Sequence, residues 1–206
     1  TPDEIAGVLR TMDKHLGHTR WRVVHTDMFT PDAFLARLAL DGFEERPVTI
    51  QMTLDGELTR RGAAVDMRAV EGDADWNALA KLVRADHLEG RRTSGLDVSA
   101  EVSAGMVAGY RAKSPAYRFH LAMQGGAPVA YGAYAVAPNG AGMIEDLFTL
   151  PGARGKGIAT AMIAAFVDRL RQANCKTIFL GALAGEQAKE LYASLGFRPV
   201  ALARSW

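Results

Sequence analysis

Apolar residues recur along the chain at two spacings, and the switches between them divide it into strands and helices. Alternation and short apolar runs predict strands at Val65–Val70, Tyr117–Met123, Val129–Val136, Met143–Leu150, Thr177–Leu183 and Pro199–Ser205. Gln124-Gly125-Gly126 marks a hairpin turn between the second and third of these. Helical spacing predicts a helix capped by Asp73 or Asp75 and running to about His87, with Trp76, Leu79, Leu82 and Val83 on one face. A Gly/Arg/Ser stretch at 90–95 separates it from a second helix over roughly 97–112. A third, Ile158–Arg171, lines up Ile158, Met162, Phe166 and Leu170; a fourth, Glu186–Leu195, ends at Gly196. Residues 1–62 predict a helix (about 3–15), a strand (Thr19–Thr26), a helix (Pro31–Leu40) and a strand (Val48–Leu54).

The junction between the strand at 143–150 and the helix at 158 is the most informative segment. Arg154-Gly155-Lys156-Gly157-Ile158-Ala159 is a glycine turn running straight into a helix. The first turn of a helix has unpaired N–H groups and the positive end of the macrodipole, so it attracts a multiply charged anion such as a pyrophosphate. Gly155 and Gly157 let the backbone approach that anion closely. A Walker A loop does not fit, because Lys156 is followed by Gly157 with no hydroxyl beside it. A dinucleotide loop does not fit either, because Thr160 occupies the third glycine's place and no acid closes the strand at 177–182.

Arg154-Gly155-Lys156-Gly157-Ile158-Ala159 resembles the Arg-x-x-Gly-x-Ala pyrophosphate loop of the GNAT superfamily of N-acetyltransferases. Leu191-Tyr192-Ala193-Ser194-Leu195-Gly196-Phe197 resembles that family's Leu-Tyr-x-x-x-Gly-Phe signature, and the element order β-α-α-β-β-β-α-β-α-β over 64–206 matches its arrangement. The resemblance implies an α/β fold on a mixed sheet, with a catalytic GNAT domain at 63–206. It also implies acetyl-CoA as cofactor, held by Leu147, Phe148 and Thr149 on the strand and by Arg154, Gly155, Lys156, Gly157, Ile158, Ala159 and Thr160 in the loop and helix. In the family a β-bulge on this strand turns an N–H toward the thioester carbonyl, which places the oxyanion donor at Phe148 or Leu147. Tyr192 matches the position whose phenol protonates the departing thiolate; as a core aromatic it would serve packing alone. Gly185 departs from the pattern, since many members carry Asn there to hold the cofactor.

Acyl transfer to an amine also needs a base for the ammonium. The run Ile144-Glu145-Asp146-Leu147-Phe148 is similar to the branch acting on polyamines and related small amines. There Glu145 is expected as base and Asp146 as an acceptor contact, with His87 bordering the acceptor cleft. The expected reaction is direct attack by a small-molecule primary amine in a ternary complex. Acetylation of a protein or peptide amine, and a non-catalytic acyl-CoA-binding module, are the alternatives.

Leu38-Ala39-Leu40-Asp41-Gly42-Phe43 with Arg46-Pro47-Val48 echoes Tyr192–Phe197 with Arg198-Pro199-Val200. Residues 1–62 are accordingly expected to be a degenerate half-GNAT-like subdomain, the other explanation being a recurring helix C-cap.

Composition narrows the setting. An apolar share of 49% and a charged share of 23% are those of an ordinary globular chain of 206 residues. The net charge of +1 gives no general field for nucleic acid or membrane. The longest apolar run, Ala161–Val167, is far short of a membrane span, and the chain begins without a secretory pattern. One cysteine, Cys175, fits a reducing compartment, so a cytoplasmic location is expected. His15, His18 and His25 lack a companion ligand set, and no metal is expected. Arg60-Arg61 and Arg91-Arg92 read as solvated loop charges, and Trp206 as a dimer contact or a cover for the sheet edge.

Overall fold

The computed structural model describes residues 1–19, 22–94 and 98–206. In chain order its elements are α1 (Pro2–Leu16), β1 (His25–Thr26), α2 (Asp32–Leu40), β2 (Thr49–Leu54), β3 (Asp66–Ala69), α3 (Asp73–Ser94) and α4 (Ala100–Lys113). There follow β4 (Tyr117–Gln124), β5 (Ala127–Val136), β6 (Gly142–Thr149), a 3-10 turn (Pro151–Ala153), α5 (Ile158–Gln172), β7 (Ile178–Leu183), α6 (Ala188–Ser194) and β8 (Arg198–Ser205). The result is the mixed α/β fold expected from the sequence.

The chain divides into two compact units, one comprising 1–52, 182–189 and 199–206, the other 53–181 and 190–198. In the first, the strand order is β1-β8-β2. His25 pairs with Ser205 and Thr26 with Arg204, and reciprocal bonds between Val24 and Trp206 (3.1 and 3.0 Å) extend the ladder. The Trp206 indole donates to the Thr26 hydroxyl at 3.3 Å, so this residue closes that end of the strands. Thr1 caps α1 reciprocally with Glu4, each satisfying a donor that the helix start leaves open.

In the second unit the strand order is β7-β6-β5-β4-β3, with β6 and β7 parallel and the other neighbours antiparallel. Alternation along β4 sorts its side chains between two faces. Phe119, Leu121 and Met123 join Trp76, Leu79, Leu82 and Val83 of α3 and Tyr110 of α4 in one buried core. His120 turns the other way, onto Phe166 of α5, 5.5 Å between ring centroids. The stripe expected on α5 is buried as drawn: Ile158, Met162, Phe166 and Leu170 all lie inside.

Three expected elements differ. The strand at Thr19–Thr26 shrinks to His25–Thr26, with Arg20 and Trp21 outside the described residues. Helix α3 does not stop near His87 but runs on through Gly90 to Ser94, so Arg91 and Arg92 are helical rather than in a loop. A single glycine in a helix interior costs only about 1 kcal/mol, and arginine is a good helix former. Helix α4 begins at Ala100, where the Ser99 hydroxyl accepts from Val102 N–H at 3.3 Å; residue 97 lies outside the described residues.

The echoed segments share one local geometry. Phe43 N–H donates to Leu38 O at 3.0 Å and Phe197 N–H to Tyr192 O at 3.1 Å, with Gly42 at φ +83° and Gly196 at φ +101°. Both are Schellman caps, a common way to end a helix, and the cap alone does not make the segments copies.

Candidate active site

The glycine loop takes the form its sequence requires. Gly155 and Gly157 stand at φ +74° and +77°, the left-handed region that other residues rarely adopt. A Cβ at either position would meet nothing within 4 Å, so the loop presents an open face. Gly157 is the N-cap of α5 with no side-chain cap, which leaves the first N–H groups of that helix to a ligand or solvent. These features fit the pyrophosphate of an acyl-CoA: open backbone, no Cβ in the way, and the positive end of a helix.

Next to the loop a cavity of about 240 Å³ is lined by 63–66, Met123, Gln124 and 156–158. Lys156 reaches across it to Gln124 Oε1 at 3.3 Å. The side chains of Ile158 and Thr160 turn inward (both 7% exposed), so only their backbone can serve the loop.

Arg154 is engaged elsewhere. Its guanidinium forks onto both oxygens of Glu89 (2.6 and 2.7 Å), its Nε donates to Thr149 O at 2.9 Å, and it lies 5.8 Å over the Phe148 ring.

Strand β6 carries the second feature. Ala133 pairs with Glu145 but Tyr131 with Phe148, so Asp146 and Leu147 together oppose Gly132 alone. This is a β-bulge, and Asp146 sits at φ +56° to make it. The pairing of β6 with β7 ends at Ile144 and Leu180, just before the bulge. Gly132 leaves room opposite: a Cβ there would come within 2.9 Å of Leu147 Cδ2 and 3.1 Å of Phe166 Cε2, so a side chain at 132 would have to push these aside.

Around the bulge stand three carboxylates. Tyr110 donates to Asp146 Oδ1 at 2.7 Å, and Tyr131 to Asp86 Oδ2 at 3.0 Å. Burial is the main cause that raises the pKa of Asp86, Asp146 and Glu145 above the ordinary carboxylate range. The phenol hydrogen bonds oppose the rise at Asp86 and Asp146. Glu145 opens to solvent, yet neighbouring protein strips enough water from it to raise its pKa, and the charge of Asp146 adds to that, against Lys113. Both phenols are shifted upward by burial and by the acids they face, and so remain donors at neutral pH.

His87 turns its Nδ1 toward α4. Its Nδ1 is 2.8 Å from the buried Ser103 hydroxyl, joining α3 to α4, while its ring lies near enough to act on Asp86. Tyr192 is 7% exposed on α6, its ring 6.3 Å from Phe197, the packing that accompanies a Schellman cap. Cys175 is buried at 2%. Among the described residues no group of three or more His, Cys, Asp or Glu is arranged to hold a metal, and no helix is long and apolar enough to cross a membrane.

Of the residues singled out in the sequence, the structure brings Glu145, Asp146, Leu147 and Phe148 together at one bulge and the loop residues to the head of α5. Asp86, Tyr110 and Tyr131 were missed. A signal existed for Asp86: it continues the apolar stripe of Trp76, Leu79 and Val83 at helical spacing, where a charge must find a partner. Tyr110 and Tyr131 carried none beyond being buried aromatics with a hydroxyl to satisfy.

The model of the acetyltransferase (GNAT) family matches residues 76–197. No curated protein matches the chain significantly. Among solved structures, a GCN5-related N-acetyltransferase from Kribbella flavida has a TM-score of 0.67 at 17% identity, covering 100% of this chain and 75% of that one. A conserved protein of unknown function from Staphylococcus epidermidis gives 0.67 at 14% identity, covering 98% of this chain and 79% of that one. A predicted acetyltransferase from Clostridium acetobutylicum, solved with acetyl-CoA, gives 0.53 at 19% identity and covers 66% of this chain and 91% of that one. At these identities the likeness is one of fold.

Proposed function

The chain belongs to the acetyltransferase (GNAT) family, and from that premise we propose that it moves an acetyl group from acetyl-CoA to the primary amine of a small cationic molecule. The observation that carries this is the bulge at Asp146–Leu147, which stands where β6 leaves β7 and is flanked by Asp86, Glu145 and Asp146. Three carboxylates around one bulge attract an ammonium and would repel an acidic acceptor.

Acetyl-CoA supplies the thioester. The loop at 155–157 and the first turn of α5 bind its pyrophosphate through backbone N–H groups. Glu145 takes the proton from the ammonium; of the three acids it alone is both solvent-facing and raised without a phenol holding it down. A raised pKa suits a base working near neutrality. The freed amine forms the new C–N bond as the C–S bond breaks. A backbone N–H at Leu147 or Phe148 donates to the oxygen on which charge develops. The Tyr192 phenol gives its proton to the leaving sulfur, and the second proton that the nitrogen sheds as the amide forms returns through solvent to the phenolate. No covalent enzyme step is required, and the one cysteine is buried.

The test is thiol release from acetyl-CoA against polyamines, amino acids, aminoglycosides and short peptides, with calorimetric CoA binding alongside. Turnover on a cationic small amine, lost in Tyr192→Phe while CoA affinity is kept, is the expected result. Tight CoA binding without turnover on any amine would leave only a binding role, and absence of CoA binding would overturn the assignment.

A further inference from the structure

The Glu89–Arg154 fork lies between the two halves of the site and belongs to neither. Glu89 follows Asp86 by three residues on α3, so the two share a helix face. Asp86 accepts from the Tyr131 hydroxyl at 3.0 Å, and the Tyr131 ring stands 5.9 Å from Phe148, its cross-strand partner. Phe148 lies under the Arg154 guanidinium at 5.8 Å, and Arg154 returns to Glu89 through two bonds of 2.6 and 2.7 Å. The contacts therefore close a ring: Asp86, Tyr131, Phe148, Arg154, Glu89, and back along one turn of α3. Arg154 is the direct neighbour of Gly155, and its Nε also fixes the Thr149 carbonyl at the end of β6.

We infer that Glu89 is a positioning residue that couples the phosphate loop to the acceptor wall. By holding Arg154 it makes the ordering of 155–160 by a bound pyrophosphate stiffen the turn of α3 that carries Asp86. The inference rests on the acyl-CoA assignment made above. A planar two-point fork transmits orientation in a way that a single flexible contact does not. Glu89 is the more enclosed partner, its side chain 22% exposed against 48% for Arg154, so its orientation is the more restricted of the two. Arg154 accordingly acts through Glu89 and the end of β6, not as a free cation reaching for phosphate.

Hydrogen exchange read by mass spectrometry, with and without CoA, tests the coupling without needing the acceptor. In the wild type, CoA should slow exchange both in 155–161 and in 84–90. Glu89→Gln removes the charge that holds the fork; protection should then remain at 155–161 and vanish at 84–90, with a roughly three- to tenfold rise in Kd for CoA. Glu89→Asp keeps the charge and should restore part of the α3 protection. Arg154→Lys breaks the fork from the other side and should copy Glu89→Gln, which guards against a fold defect peculiar to one variant. CoA protection at 155–161 without any at 84–90 in the wild type, or equal α3 protection in wild type and Glu89→Gln, would overturn the coupling while leaving the cofactor assignment standing. No protection at 155–161 would remove the cofactor assignment, and the coupling with it.

Discussion

Replacing Asp146 by alanine, glycine and asparagine separates three contributions at the bulge. Asp146 adopts φ +56° and accepts the Tyr110 hydroxyl at 2.7 Å. Alanine in the left-handed region costs about 1 kcal/mol, and it leaves a buried phenol without an acceptor, about 1–3 kcal/mol more. The sum, roughly 2–4 kcal/mol, should lower the thermal midpoint by about 4–16 °C in a chain of this size. Glycine restores the backbone and should lose only the second part. Asparagine tolerates the same φ and keeps an acceptor, so it should be close to neutral. The sign with pH follows from the direction of the shift. The folded pKa of Asp146 lies above its unfolded value, so between about pH 4 and the raised pKa the folded state holds more protons than the unfolded state, and the wild type loses stability as pH rises across that window. The asparagine side chain carries no charge to bury. The Asp146→Asn variant should therefore gain on the wild type as pH rises, and the two should converge below about pH 4. Urea denaturation of all four proteins between pH 4 and 8 measures this. Asparagine as damaging as alanine, or a gap that ignores pH, would refute the reasoning.

Three further outcomes are expected. Gly157→Leu places a side chain at φ +77° in open space, so it should cost only about 1–2 kcal/mol of strain yet abolish calorimetric CoA binding; retained affinity would remove the loop assignment. Gly132→Ala drives a Cβ to 2.9 Å from Leu147, and should destabilise by about 1–3 kcal/mol and lower kcat more than it raises KM for CoA, because the bulge shifts while the loop does not. The acidic limb of kcat/KM should rise with pH at a value displaced upward from the ordinary ~4.3 of a glutamate, and Glu145→Gln should erase that limb; an unchanged limb would move the base elsewhere.

Much of the fold was written locally. Periodicity drew the α3 and α5 stripes, and both are buried as drawn, because an apolar face of a helix has nowhere else to go. The glycine loop was legible for the same reason: Gly155 and Gly157 are needed by their own backbone angles, whatever packs around them. The extent of α3 was misread because Gly90 marks a break only when packing does not pull the helix through it. The character of Glu145 and Asp146 was out of reach of local rules. Their neighbours Asp86, Tyr110 and Tyr131 arrive from α3, α4 and β5, and the pKa of each acid is set by the water those elements displace. The bulge also faces Gly132, a strand away, whose missing side chain leaves room for Leu147, and no spacing within β6 records that. Arg154 shows the division in one residue. The sequence determined its place at the head of the loop, where backbone geometry is local. Only the tertiary structure decided that its charge belongs to Glu89, because a guanidinium goes to whichever acid the fold brings within reach, and that acid is 65 residues away.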